Sequence, residues 1–237
     1  MKYEIIIFDA DETLFDFKKS EKKAFENTII DFGIEYDEEY HFKIYKEINS
    51  AIWKELENGL ITQKKLKIER FKRLSQKLSI QFNEVEFAKL FMEYLSQASF
   101  LYEKSEELIQ NLNKDYRLTI ITNGLSIVQD KRIKKSIIAK YFEDIVVSEE
   151  IGISKPNPEI FQYALNNINY TNKDKVLIVG DSLTSDIQGG INFGIDTCWF
   201  NPTMNSNSIG IEPTYIISNL MELKDILNRK SENFDLE

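Results

Sequence analysis

The sequence predicts an α/β protein: a parallel sheet flanked by helices and interrupted after its first strand by a helical insertion. Three observations carry that expectation. Short apolar, β-branched runs alternate with helical patterns over most of the chain. One long stretch near the N-terminus keeps helical spacing and shows no strand pattern. Several of the apolar runs end in turns that carry Asp, Thr or Gly. The 237 residues leave room for one large unit or two modest ones, at about 100–200 residues per domain.

Residues 4–8 form the first apolar run, Glu-Ile-Ile-Ile-Phe. Similar runs occupy Leu118–Thr122, Ile145–Val147, Val176–Val179, Thr197–Phe200 and Tyr215–Ile217. Runs of this kind, bounded by polar or glycine-bearing turns, read as buried strands of a mostly parallel sheet. Glu106–Asn113 and Glu159–Asn166 are helical patterns between them. Between residues 16 and 100 the apolar positions recur at helical spacing. They are Phe25, Thr28, Ile29 and Phe32, then Ile44, Ile48, Ile52 and Leu56, then Leu66, Phe71 and Leu74. Gly33 and Gly59 stand where helices should end, and Asn83 with Glu86 has the form of a capping box. The expected architecture is a three-layer, Rossmann-like core made of residues 1–15 and 101–237, with an α-helical cap inserted as residues 16–100. The charged segment after Asn228 is expected to be a frayed terminus.

Composition narrows the function. Lys and Arg number 30 against 39 Asp and Glu, for a net charge of −9. A nucleic acid polymer is therefore an improbable partner, because backbone binding calls for a basic stripe. Cys198 is the single cysteine, which excludes an internal disulfide and suits a reducing cytoplasm. His41 is the single histidine, which excludes a His-rich zinc site; it is expected at the surface of the insertion. No apolar run approaches the roughly 18–20 residues needed to cross a membrane.

The chemistry concentrates at strand ends, where parallel sheets bind ligands. The first run leads into Phe8-Asp9-Ala10-Asp11-Glu12-Thr13-Leu14-Phe15. Leu118–Ile121 leads into Thr122-Asn123-Gly124, where a glycine lets backbone N–H groups approach an anion. Val147 leads to Ser148 and on to Lys155-Pro156-Asn157-Pro158, whose prolines stiffen the loop and open a helix. Val176–Val179 leads into Gly180-Asp181 with Asp186 further on. Each piece alone has an ordinary reading: a solvated carboxylate, a β-favouring Thr, a surface Lys, a helix cap. Four of them in order, all at strand ends, do not.

This ordered set resembles the haloacid dehalogenase superfamily of phosphotransferases, and the resemblance spans the chain, the helical insertion included. It implies a hydrolase of phosphate monoesters. In such an enzyme an Asp9 oxygen, the Asp11 backbone carbonyl and an Asp181 oxygen bind Mg2+, while Asp186 orients these ligands from outside. The other Asp9 oxygen attacks phosphorus and forms an aspartyl-phosphate. Asp11 protonates the leaving oxygen, then activates water. Thr122, the amides around Asn123, and Lys155 hold or balance the phosphoryl oxygens. Physical chemistry agrees on the ion: a dianion cannot sit among carboxylates without a cation, and an all-oxygen ligand set selects Mg2+. A carboxyl at position 11 speaks against carbon–halogen chemistry, which needs no acid there.

Residues 189–202, running from Gly189-Gly190 through Trp199 to Asn201-Pro202, resemble more narrowly the branch of pyrimidine 5′-nucleotidases. The opening Asp-Ala-Asp-Glu-Thr-Leu-Phe-Asp-Phe, the Ser-Glu-Glu-x-Gly run and Glu212-Pro213-Thr214-Tyr215 agree with it. The expected substrate is a nucleoside monophosphate. Another small monoester (phosphoglycolate or a sugar phosphate), a phosphomutase outcome, or a receiver-like signalling domain are the alternatives. Gly189-Gly190 can equally serve close helix packing, and Trp199 reads better as core than as a stacking platform. Asn49, Trp53 and Arg70 could select the leaving group; core packing for Trp53 and a surface ion pair for Arg70 are the plainer readings.

Overall fold

The computed structural model describes residues 2–228. The segment 229–237, expected to fray, lies outside the described residues. In chain order the elements are β1 (Ile5–Phe8), α1 (Phe17–Asp31), α2 (Lys43–Glu57), α3 (Gln63–Leu78), α4 (Glu84–Gln97), α5 (Ser105–Leu112), β2 (Arg117–Thr122), α6 (Ser126–Arg132), β3 (Asp144–Val147), α7 (Ser148–Ile151), α8 (Pro158–Asn167), β4 (Val176–Gly180), α9 (Gln188–Phe193), β5 (Asp196–Phe200), β6 (Tyr215–Ile217) and α10 (Leu223–Asn228). Among the described residues no helix is long and apolar enough to cross a membrane.

The six strands form one parallel sheet in the order β3-β2-β1-β4-β5-β6. Alternate residues of each strand serve opposite layers. Ile6, Phe8, Leu118, Ile120, Leu177 and Val179 pack with Leu108, Ile109 and Leu112 of α5 and Leu223 of α10. Ile5, Ile7, Ile121, Val176 and Ile178 pack with Ile160, Phe161 and Leu165 of α8 and Phe193 of α9. Both faces of the central strands are covered, which is why β1 and β4 read as unbroken apolar runs. Gly190 and Gly189 act in packing. A Cβ on Gly190 would stand 2.6 Å from methyls of Ile178 and Thr197, and one on Gly189 2.8 Å from the Phe161 ring.

The order of strands positions the site. β1 lies between β2 and β4, so consecutive connections leave it in opposite directions. Ligands bind past the carboxyl ends of the strands at such a switch point. Phe8 pairs with Ile120 and Val179, which brings the residues after all three strands to one edge. The Asp9 N–H still donates to the Val179 carbonyl at 2.9 Å.

The chain divides into two compact units: one runs to Phe17 and resumes at Ser99, the other is Lys18–Ala98. The second holds α2 to α4 and nearly all of α1, and no strand among its described residues. Gly33 and Gly59 take positive φ just beyond α1 and α2, and Asn83 caps α4 by accepting from Val85 and Glu86 N–H. An aromatic core fills this unit. Phe25 stacks on Tyr45 at 4.6 Å between centroids, and Phe71 meets Phe87 at 4.9 Å.

Three expectations about the insertion change. His41 is buried, not exposed. It lies in a wide, π-type helical turn, Glu38–Phe42, where its Nδ1 accepts from Asp37 N–H and its ring packs near Tyr36 and Tyr40. In α2 the deeply buried positions are Tyr45, Asn49 and Ile52, so the apolar face is turned from the stripe Ile44, Ile48, Leu56, all half-buried. Arg70 is not a surface ion pair: it is buried, donates to Asn49 Oδ1 at 3.2 Å and lies over the Phe71 and Phe91 rings. Asn49 in turn donates to Glu21, as does the Tyr45 hydroxyl. Trp53 is half-buried.

Ile178 is fully buried in the layer beneath α8 and α9. Replacing it by Ala should cost about 2–5 kcal/mol through lost transfer energy and the cavity left behind. The midpoint of urea denaturation reads that loss.

Candidate active site

Three strand ends and one loop deliver the polar side chains. Asp9 and Asp11 follow β1, Thr122 ends β2, Asp181 follows β4, and Lys155 precedes α8. Among the described residues, Asp9, Asp181 and Asp186 bring one carboxylate oxygen each within 4.8 Å of one another. Asp9 and Asp186 are buried and Asp181 half-buried.

Lys155 holds this acidic group together. Its ammonium donates to Asp9 Oδ1 at 2.6 Å and to the Ile121 carbonyl at 2.7 Å, and pairs with Asp186 Oδ1 at 2.7 Å. An ammonium has three N–H groups, so all are engaged. The loop that carries it is pinned by Asn123, whose side chain donates to the Lys155 carbonyl at 2.9 Å and accepts from the Lys155 N–H at 3.0 Å. Thus the Asn123 side chain fixes the loop, and only its backbone faces remain for a ligand. Asp186 accepts from Ser182 N–H at 2.9 Å through its second oxygen. A Cβ on Gly180 would overlap the Asp186 carboxylate, so that strand end must be glycine. Trp199, buried as expected, also donates from Nε1 to the Asp181 carbonyl at 2.8 Å.

The charges are strongly coupled. Burial pushes the Asp9 carboxyl up to about 6; the Lys155 ammonium opposes this and the Asp186 carboxylate adds to it. Burial, with Asp9 and Asp186 beside it, holds Asp181 well above the ordinary carboxylate range. Burial works against the Lys155 cation, but Asp186 and Asp9 outweigh it and keep Lys155 above its usual value.

Asp11 turns its carboxylate the other way, toward α6. Gln129 Nε2 donates to Asp11 Oδ2 at 2.8 Å, and Arg132 pairs with Asp11 Oδ1. Burial lowers the Arg132 guanidinium to about 10, so it remains a cation at neutral pH. No linear motif announces Gln129 and Arg132. The available signal is a Gln-x-x-Arg spacing on a short helix otherwise held by Leu125, Val128 and Ile133.

The donor set fits a hard dication. Four aspartates face two buried cations, Lys155 and Arg132, so acidic groups outnumber the cations beside them. All available ligands are oxygens, which suits Mg2+ over softer metals. Carboxylates that must be ionised to bind it are the ones whose ionisation the bare site opposes.

A parallel sheet with a helical insertion, acidic groups at its switch point and a buried lysine beside them is the arrangement of a hydrolase with an α/β fold. Residues 3–194 match the family model of the haloacid dehalogenase-like hydrolases, and the chain belongs to that family. It is 34% identical to the pyrimidine 5′-nucleotidase YjjG of Escherichia coli (strain K12), over 96% of this chain and 99% of the other. It is 33% identical to the pyrimidine 5′-nucleotidase PynA of Streptococcus pneumoniae (strain ATCC BAA-255 / R6), over 97% of each. The crystal structure of the HAD-hydrolase YfnB from Bacillus subtilis, bound to magnesium, superposes with a TM-score of 0.90 at 36% identity, covering 97% of this chain and all of that one.

The raised carboxyls set the pH dependence of metal stabilisation. Because Asp9 titrates above its unfolded value, the metal-free fold binds an extra proton and loses stability as pH rises through about 4 to 6; Asp181, also raised, acts with the same sign. A dication needs these groups ionised, so its benefit grows as pH rises and fades as pH falls. Saturating Mg2+ should raise the melting temperature by about 5–10 °C over chelator near pH 7.5, and by much less near pH 5. Scanning calorimetry at the two pH values checks the sign.

Proposed function

We propose that the chain is a Mg2+-dependent phosphomonoester hydrolase that works through an aspartyl-phosphate on Asp9, with pyrimidine nucleoside 5′-monophosphates as substrates. The observation that carries the chemistry is the Asp9–Asp181–Asp186 group within 4.8 Å, with Lys155 against Asp9. What supports the substrate is likeness over nearly full length, insertion included, to two relatives named pyrimidine 5′-nucleotidases.

The roles follow from the contacts. Asp9 and Asp181, with the Asp11 backbone carbonyl, would hold the Mg2+, and Asp186 keeps Lys155 and the turn after β4 in place. The ion supplies the positive charge that lets a dianion enter an acidic site and polarises a phosphoryl oxygen. Lys155 engages Oδ1 of Asp9, which leaves Oδ2 as the attacking atom. A bond from Asp9 to phosphorus forms as the bond from phosphorus to the ester oxygen breaks, and Asp11 gives that oxygen a proton. Asp11 then takes a proton from water, water oxygen bonds to phosphorus, and Asp9 is released. Thr122 is set to donate. Its oxygen accepts from Gly124 N–H and from Gln129 Nε2, each at 3.1 Å, so its own proton is free for a phosphoryl oxygen. Lys155 balances charge as negative charge spreads over these oxygens.

A release assay for phosphate across nucleoside monophosphates, sugar phosphates and phosphoglycolate tests the substrate. Uridine and thymidine monophosphates should be turned over fastest, and chelator should abolish the signal. Equal rates across the panel would remove the nucleotidase reading. Asp9→Asn should fold and lose at least ~1,000-fold in kcat, since the nucleophile is gone at nearly constant volume. Acid-quenched samples of the unmodified enzyme should carry phosphate on an acyl group, and those of the variant none.

A further inference from the structure

Helix α6 places two polar side chains in the interior that the reaction above leaves without a role. Gln129 and Arg132 are 1% and 0% exposed. They are three residues apart and share a helix face. Besides its bond to Asp11 Oδ2, Gln129 Nε2 reaches Thr122 Oγ1, and its Oε1 accepts from Arg132 Nη2 at 3.2 Å. Arg132 covers the other Asp11 oxygen. Its guanidinium lies over the rings of Phe15 and Phe17, each at 5.2 Å, and its carbonyl accepts from the Ser99 hydroxyl at 2.7 Å. A Cβ on Gly124 would overlap the Gln129 amide, so the glycine after β2 opens the path that Gln129 takes. Burying a guanidinium costs several kcal/mol unless its partners are well placed. A Leu would pack a seven-residue helix without that penalty.

We propose that Gln129 and Arg132 are positioning residues that fix the Asp11 carboxyl for proton transfer to the leaving oxygen, a role that rests on Asp11 being the general acid. Asp11 stands on a turn, where its two side-chain torsions are otherwise free to wander. A hydrogen bond on Oδ2 and an ion pair against Oδ1 remove that freedom. Each carboxyl oxygen keeps a further lone pair, so the proton can still be carried and passed on. The planar guanidinium fork brings one nitrogen, Nη2, to both the Asp11 carboxylate and the Gln129 oxygen. Through Thr122, the same amide ties the acid to the hydroxyl set to hold the phosphoryl group.

The dependence on the leaving group tests this. An alkoxide needs a proton as it departs, whereas p-nitrophenolate leaves unaided. Single-turnover release of alcohol, with enzyme in excess, reads phosphoryl transfer alone. We would compare uridine 5′-monophosphate with p-nitrophenyl phosphate in the unmodified enzyme, Asp11→Asn, Gln129→Met and Arg132→Lys, with the fold of each followed by circular dichroism. Asp11→Asn should lose ~100-fold or more on the alkyl ester and far less on the aryl ester. Gln129→Met should lose about 10-fold more on the alkyl ester than on the aryl ester, in the rate constant, any loss common to both esters reading its contact with Thr122. Arg132→Lys, which keeps the charge but not the fork, should fall between Gln129→Met and the unmodified enzyme. Equal losses on both esters in Gln129→Met, while Asp11→Asn stays selective, would overturn the positioning role. Absence of selectivity in Asp11→Asn would overturn the assignment of the acid itself. Gln129→Met decides the matter alone if Arg132→Lys melts at the assay temperature.

Discussion

Carboxylates crowded at a buried strand end repel one another, and the catalytic half of this protein is built around containing that repulsion. At about 4 Å and an effective dielectric near 20, one such pair costs about 4 kcal/mol. Lys155 is the principal remedy. Its ammonium stands 2.6 Å from Asp9 and 2.7 Å from Asp186, so one cation serves two anions. Much of the local sequence exists to keep it there. Asn123 grips the Lys155 backbone from both sides, Pro158 starts the helix behind it, and Gly180 leaves space for Asp186. The compensation is deliberately incomplete, since Asp9 and Asp181 remain difficult to ionise. A site of acidic groups that offers only oxygen ligands suits a hard cation.

The sheet makes this possible without strain in the strands. β1 and β4 are adjacent and apolar throughout, so the acidic residues begin only where the ladder ends. Asp9 is still tied to Val179 by its N–H, which gives its carboxylate a rigid base. Asp181 gains a comparable anchor from the Trp199 indole, which reaches over from β5. Residues distant in the chain converge because parallel strands carry their C-terminal turns to one edge. The acid at position 11 is served from a different direction, by α6.

The fold was legible because its signals are local and repetitive. Apolar runs at β1, β2 and β4 are long enough and buried enough to stand out, and glycines mark the ends of α1 and α2. The residues that converge on the site were legible for another reason: Asp9, Asp11, Thr122 and Asp181 sit at or just past strand ends, and Lys155 is marked by the prolines after it, so linear motifs capture them. Gln129 and Arg132 escaped because their importance is purely three-dimensional. The acid between them, Asp130, pairs with Lys134, and nothing in the linear order points from Arg132 to a partner 121 residues upstream at Asp11. His41 and Arg70 misled for the opposite reason. Polar residues in a polar stretch default to the surface, and only the packed aromatic interior of the insertion shows that they were enclosed. The α2 stripe slipped because Tyr45, an amphipathic residue, took the deep position that a hydrophobic count assigns to Ile44 or Ile48.

The exits from the sheet to the helical insertion run side by side. Phe15 bridges Leu101, Asp16 N–H donates to the Phe100 carbonyl, and Tyr102 N–H donates to the Leu14 carbonyl. The two ends of the inserted segment are thus stitched together before the insertion begins. A segment joined through a closed stem can lengthen, shorten or be traded for another without tugging on β1. Descent can therefore rework the inserted unit of such a molecule while the sheet unit stays as it was, and ancestry read from one unit need not date the other.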